Sequence, residues 1–172
     1  MQQLYKLFKE TTGICTDTRN IQKESLFIAL KGRNFNGNTF AENAVNSGAR
    51  YAIVDEKEFV TNPKIFYVED CLIFLQKLAS FHRSKFTIPI VGVTGSNGKT
   101  STKELITTVL SMKFNTLSTV GNLNNHIGVP LTLLRINNTH EIAVIEMGAN
   151  KPGDIAELCN ITSPTHGLIT NI

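Results

Sequence analysis

The stretch Ile88-Pro89-Ile90-Val91-Gly92-Val93-Thr94-Gly95-Ser96-Asn97-Gly98-Lys99-Thr100-Ser101-Thr102-Lys103-Glu104 decides how the chain is organised. It opens as an apolar, β-branched run, passes through a glycine-rich turn and continues through Lys-Thr-Ser into a segment with helical spacing. A strand, a glycine turn and a helix in that order make a phosphate site. Glycines at 95 and 98 let the backbone turn tightly with its N–H groups inward, and the first helical turn adds unpaired donors and the positive end of a dipole. Lys99 is placed to reach the β and γ phosphates of a nucleotide, and the Thr100 hydroxyl to ligate Mg²⁺. The pattern G-x-x-x-x-G-K-[ST] is not met in full, since Val93 stands five residues before Gly98 and the variant reads T-G-S-N-G-K-T. Context outweighs that departure: a strand precedes, a helix follows, and Leu105, Val109 and Met112 share one apolar helical face.

Downstream, Phe114 to Thr119 reads as a short strand that delivers Gly121-Asn122-Leu123-Asn124-Asn125-His126-Ile127-Gly128-Val129-Pro130. Three asparagines bounded by glycines can aim amide dipoles at phosphate or metal-bound water, or can serve as turn and capping residues before a helix around Pro130 to Leu134; both readings stand on the sequence. The strand Glu141 to Ala149 carries Glu146 at its carboxyl end. Ligands gather outside the carboxyl ends of parallel strands, so an ionised Glu146 there can hold Mg²⁺ directly or through water. A helix through Asp154, Ile155 and Leu158 and an apolar strand from Thr165 to Ile172 follow. That final strand, and a second part of only about 85 residues, lead to the expectation of a longer protein whose nucleotide domain is truncated here.

Upstream, strands at Ser25–Leu30, Arg50–Asp55 and Lys64–Val68 alternate with helices near residues 4–10, 39–47 and from Asp70 onward. Alternation of this kind argues an α/β unit with a largely parallel sheet. Thr16-Asp17-Thr18-Arg19 reads on composition as an Asp/Thr turn, with a clamp for a polar ligand as the other reading. The loop Lys31-Gly32-Arg33-Asn34-Phe35-Asn36-Gly37-Asn38 is a plausible ligand edge. The fold expected is therefore α/β throughout: a small amino-terminal α/β substrate domain over 1–86, then a truncated P-loop-type parallel α/β ATPase domain over 87–172.

Composition narrows the function classes. Of 172 residues, 41% are hydrophobic and 18% charged, which is ordinary for a globular protein. The net charge of +3 is spread along the chain without basic runs, so nucleic acid is not an expected partner. Three distant cysteines, Cys15, Cys71 and Cys159, make neither a disulfide framework nor a zinc site. No apolar stretch reaches the ~20 residues of a membrane span and no signal peptide is evident. The chain is accordingly expected to be cytoplasmic and away from membranes.

Taken together, these motifs resemble the amino-terminal part of the Mur ligase family over essentially the whole chain. T-G-S-N-G-K-T-S-T-K-E is similar to the family's ATP loop. G-N-L-N-N-H-I-G-V-P together with E-M-G-A-N-K-P-G-D-I resembles the branch that joins D-alanyl-D-alanine to UDP-N-acetylmuramoyl-tripeptide in peptidoglycan synthesis. The resemblance implies ATP bound by Gly95, Ser96, Asn97, Gly98, Lys99, Thr100 and Ser101, and Mg²⁺ held by Thr100 and Glu146. It also implies either Asn122 or Asn125 near the γ-phosphate, as catalytic residues beside Lys99. Thr16, Asp17, Thr18, Arg19 and the segment with Gly32, Arg33, Asn34 and Asn36 look like the family's uridine-diphosphate-binding residues. One departure is visible, Asn36-Gly37-Asn38 where the family often has Asp-Gly-His. The implied partners are UDP-N-acetylmuramoyl-tripeptide and D-alanyl-D-alanine, with the protein a monomer and this chain inactive alone. Other ligases of the same architecture, such as folylpolyglutamate synthases, and nucleotide-driven switches are the alternatives.

Overall fold

A computed structural model of the protein describes all residues from Met1 to Ile172. The chain divides into two compact units, Met1–Leu75 and Gln76–Ile172.

The first unit begins with helix α1 (Gln2–Lys9), then β1 (Ile14–Cys15) and β2 (Leu26–Ile28). A hairpin of β3 (Lys31–Gly32) and β4 (Phe35–Asn36) leads to α2 (Ala41–Asn46), β5 (Tyr51–Val54) and β6 (Ile65–Tyr67). Strands β1, β2, β5 and β6 pair in that order, all parallel. Leu26, Phe27, Ile28, Ala52, Ile53 and Val54 are buried without alternation, as expected of a parallel sheet covered on both faces. Where the sequence suggested a polar loop after Leu30, the chain folds back as the antiparallel β3–β4 pair. Gly37 explains the sharp exit from it, because a Cβ there would collide with the Leu30 carbonyl oxygen. Helix α3 (Cys71–Arg83) runs across the division between the units, and its start is tied to the first by the Cys71 N–H on Asp55 at 3.2 Å.

The second unit holds β7 (Ile90–Thr94), α4 (Lys99–Ser111), β8 (Thr116–Ser118), α5 (Gly128–Leu133), β9 (Ile142–Glu146), α6 (Asp154–Thr162) and β10 (His166–Ile169). Its strands run parallel in the order β10-β7-β9-β8. From β7 the chain crosses to β8 at one edge, and after β9 it passes to β10 at the other. The carboxyl end of β7 therefore lies at the switch point where open parallel sheets receive ligands. Ile90, Val93, Val129, Leu133, Ala143, Val144, Ile145 and Leu158 form the core. One expectation fails: Leu105, Val109 and Met112 on α4 are 69%, 70% and 85% exposed, while Lys103 is wholly buried. The helix phase is set by the loop at its start and by docking on β8 and β9, and this turns the charged residue inward. Lys103 is accommodated because its Nζ donates to the Thr119 carbonyl at 2.8 Å and to Glu104 at 2.5 Å.

No helix is long and apolar enough to cross a membrane.

Candidate functional site

Register places the site. Val93 pairs with Glu146 across β7 and β9, so the glycine turn and the acid leave the sheet at the same level. In the turn, Gly95 has φ +136 and Gly98 φ +77, both in the region open to glycine. Gly98 ends the turn and α4 begins at once, with no side-chain cap. The N–H groups of its first turn are thus left for an anion. Lys99 lies over the rim of the turn, its Nζ donating to the Gly95 carbonyl at 2.6 Å and the Ser96 carbonyl at 3.2 Å. Its ammonium is bonded only to two neutral backbone oxygens there, an arrangement a phosphate can displace.

Glu146 is 1% exposed. Its Oε1 accepts from Thr100 Oγ1 at 3.2 Å and from Asn124 Nδ2 at 2.7 Å, while its Oε2 is buried without a hydrogen-bond partner. A buried carboxylate oxygen left unpaired is costly, and a cation is the natural complement. Two oxygen donors, the Thr100 hydroxyl and Glu146 Oε2, beside an uncapped helix start fit a hard divalent ion that also touches phosphate. The backbone supports the acid from behind, since the Glu146 N–H donates to Thr119 Oγ1 at 2.9 Å.

The asparagine tract resolves into separate jobs. Asn124, which the sequence did not single out, is the one that reaches the acid; Gly148 leaves room for it, with its own N–H on the Asn124 carbonyl at 2.7 Å. Asn125 instead accepts from the Ile127 and Gly128 N–H groups at 3.0 and 2.9 Å, closing a turn ahead of α5. Asn122 gives its carbonyl to the Asn124 N–H at 2.8 Å. Neither of the two asparagines expected beside the γ-phosphate is the one that meets Glu146. His126 binds Asp154 through Nε2 at 3.1 Å and lies 3.8 Å from Glu157 through Nδ1, tying the tract to α6. Asp154 also accepts from the Asn150 and Lys151 N–H groups, and these bonds, that from Asn150 foremost and then that from His126, hold its carboxyl below the usual range.

In the first unit a cavity of about 580 Å³ is lined by Thr16, Asp17, Thr18, Arg19, Phe35 and Phe40. Arg19 folds onto Asp17 at 2.6 Å, and that pairing holds the Asp17 carboxyl down at about 2. The arginine is exposed and so free to exchange this partner for an anionic ligand. Phe35 and Phe40 stack with centroids 5.3 Å apart, an aromatic wall the sequence did not reveal because their pairing depends on the hairpin. Gly32, Arg33 and Asn34 are exposed in the hairpin and do not line the cavity. Asn36 is a scaffold residue: its Oδ1 accepts from Asn38 N and Nδ2 at 3.0 and 2.9 Å, and its Nδ2 donates to Glu56. Asn38, wholly buried, then bonds Asp55 at 2.8 Å, so Asn36-Gly37-Asn38 closes a hydrogen-bonded turn.

Comparisons with known proteins point to one family. Residues 10–83 match the Mur ligase family catalytic domain and residues 93–172 the Mur ligase middle domain. The chain is 47% identical over 162 residues to the UDP-N-acetylmuramoyl-tripeptide–D-alanyl-D-alanine ligase of Synechocystis, covering 93% of this chain and 36% of that protein. The Escherichia coli ligase of the same name is 42% identical, with 93% and 35% covered. Among solved structures, MurF from Acinetobacter baumannii superposes with a TM-score of 0.89 at 34% identity, over 99% of this chain and 40% of that one. The MurF ligase from Thermotoga maritima in complex with ADP gives 0.85 at 38% identity, over 94% and 38%. The chain thus spans little more than a third of the length of these relatives.

Proposed function

Since the chain belongs to the Mur ligase family, with that family's first and middle domains, we propose that it supplies the uridine-nucleotide and ATP sites of an amide ligase that joins D-alanyl-D-alanine to UDP-N-acetylmuramoyl-tripeptide in peptidoglycan synthesis in the cytoplasm. The observation that carries this reading is Glu146, a buried carboxylate with one unpaired oxygen, bonded to Thr100 in the first turn of an uncapped helix. A cation bridging it to a polyphosphate would complete the coordination of such an acid.

In this proposal the first turn of α4, from Lys99 to Ser101, receives the β and γ phosphates of ATP below the 95–98 loop, and Lys99 leaves the Gly95 carbonyl to pair with them. Thr100 and Glu146 would hold Mg²⁺, which when bound neutralises phosphate charge. Asn124, through its bond to Glu146, keeps that carboxylate aimed. In the first unit the cavity between Arg19 and the Phe35–Phe40 stack takes the uridine diphosphate, the arginine meeting phosphate and the rings the base.

The chemistry follows from what amide formation requires. At neutral pH a carboxylate and an ammonium make a salt, so the acid must first be activated. A carboxylate oxygen of the tripeptide attacks the γ-phosphorus and the bond to the β-bridging oxygen breaks, giving an acyl phosphate and ADP. The free amine of D-alanyl-D-alanine then attacks the acyl carbon, phosphate leaves and the nitrogen loses a proton. Lys99 and the N–H groups at the start of α4 stabilise the charge on the transferring group. The test is calorimetry on the purified chain. MgATP is expected to bind, Lys99→Ala to weaken it roughly 10- to 100-fold, and UDP-N-acetylmuramoyl-tripeptide to bind both proteins alike. No ligation is expected from the 172 residues alone; equal ATP affinity in the variant overturns the reading.

A further inference from the structure

The phosphate loop is gripped from outside by residues more than 70 positions away in sequence. Ile169 pairs with Thr94, so the chain leaving β10 runs beside the loop leaving β7. Asn171 Oδ1 accepts from the Asn97 N–H at 2.8 Å and from Ser96 Oγ at 2.9 Å, and its carbonyl takes the Ser96 N–H at 3.2 Å. Thr170 Oγ1 lies 2.5 Å from the Asn97 carbonyl and 3.3 Å from that of Thr94, with its single proton serving the shorter contact. Gly95 has no side chain for the same reason: a Cβ would strike Thr170 Oγ1.

We infer that Thr170 and Asn171 are positioning residues for the phosphate loop, which hold its apex in the shape a nucleoside triphosphate requires. The polar groups of Ser96 and Asn97 are turned outward onto this segment, leaving the N–H groups at the start of α4 for phosphate. A turn with glycines at 95 and 98 loses much conformational freedom on ordering, and an external clamp removes that cost before the ligand arrives. An asparagine suits the task because its amide oxygen accepts both bonds without setting a negative charge beside the polyphosphate. The inference rests on the nucleotide reading above.

The experiment compares Asn171→Ala, Thr170→Val and Thr170→Ser with the unaltered chain, by MgATP calorimetry, thermal melting and amide hydrogen exchange at Asn97. Asn171→Ala and Thr170→Val are expected to raise the Kd for ATP roughly tenfold, the size of effect one or two lost hydrogen bonds produce. Exchange at Asn97 is expected to accelerate in Asn171→Ala, with the melting temperature nearly unchanged and Thr170→Ser restoring affinity. Equal ATP affinity and equal Asn97 protection in Asn171→Ala overturn the inference, as does a loss of affinity that tracks a general fall in melting temperature and is not rescued by Thr170→Ser. If the unaltered chain binds no ATP, the nucleotide reading fails instead, and the exchange at Asn97 still decides whether Asn171 holds the loop.

Discussion

The side-chain amide of Asn124 donates to Oε1 of Glu146 at 2.7 Å, joining the asparagine tract to the acidic end of β9 across 22 residues of sequence. The bond orients a carboxylate whose other oxygen is unpaired. Asn124→Ala is therefore expected to lower magnesium-dependent ATP affinity by roughly tenfold, in line with loss of a hydrogen bond to a charged group. Asn125→Ala removes only a turn ahead of α5 and is expected to cost about 1 kcal/mol of stability without changing ATP affinity. Titration calorimetry and urea unfolding on the two variants separate these roles; equal losses of affinity would falsify the division.

Glu146→Gln replaces a buried carboxylate that lacks one partner by a neutral amide of the same shape. Because an unsatisfied buried charge is destabilising, the variant is expected to melt a few degrees higher, roughly 2–5 °C, while MgATP and metal-free ATP bind it equally. A lower melting temperature with intact magnesium dependence would show that the acid serves the fold.

Asp55 is nearly buried beneath Asn38, Lys31 and the Cys71 N–H. Burial pushes its carboxyl up, but those bonds outweigh it and the net shift is downward. The folded pKa thus lies below the unfolded value of about 3.9. The stabilisation is complete above that unfolded value and is lost as pH falls through the folded one. Melting temperatures between pH 7 and pH 3 are expected to drop on the acid side of about pH 4, and to drop less in Asp55→Asn. An identical acid limb in both proteins would remove Asp55 from the account.

Gly37→Ala drives a methyl group into the backbone of Ala29 and Leu30. Backbone cannot move aside as a flexible side chain would, so a loss of roughly 1–3 kcal/mol is expected in chemical denaturation. ATP affinity is expected to stay as it was, because the damage is confined to the first unit.

Much of this was legible in the order of residues, and the limits are physical. Parallel α/β architecture followed from apolar runs alternating with helical spacing, and both four-stranded sheets are parallel. The acid at the end of β9 was legible as a candidate because it closes a buried strand. By contrast, three asparagines within four positions are indistinguishable until the turn at Asn125 fixes their directions. The apolar stripe of Leu105, Val109 and Met112 misled because periodicity gives the existence of a helix face and not the side that docks.

By itself the sequence determined what depends on neighbours along the chain: the strand, glycine turn and helix over 90–111, the acid closing β9, and membership of a ligase family. Those features rest on backbone dihedrals and on side-chain periods of two or 3.6 residues, which act over a few positions. Only tertiary structure decided that Asn124 holds Glu146, that Asn171 grips Asn97 from 74 residues away, and that Phe35 and Phe40 wall the cavity beside Arg19. Each of those contacts is set by strand register and by the angle at which a loop leaves the sheet, and neither quantity is a property of any short segment.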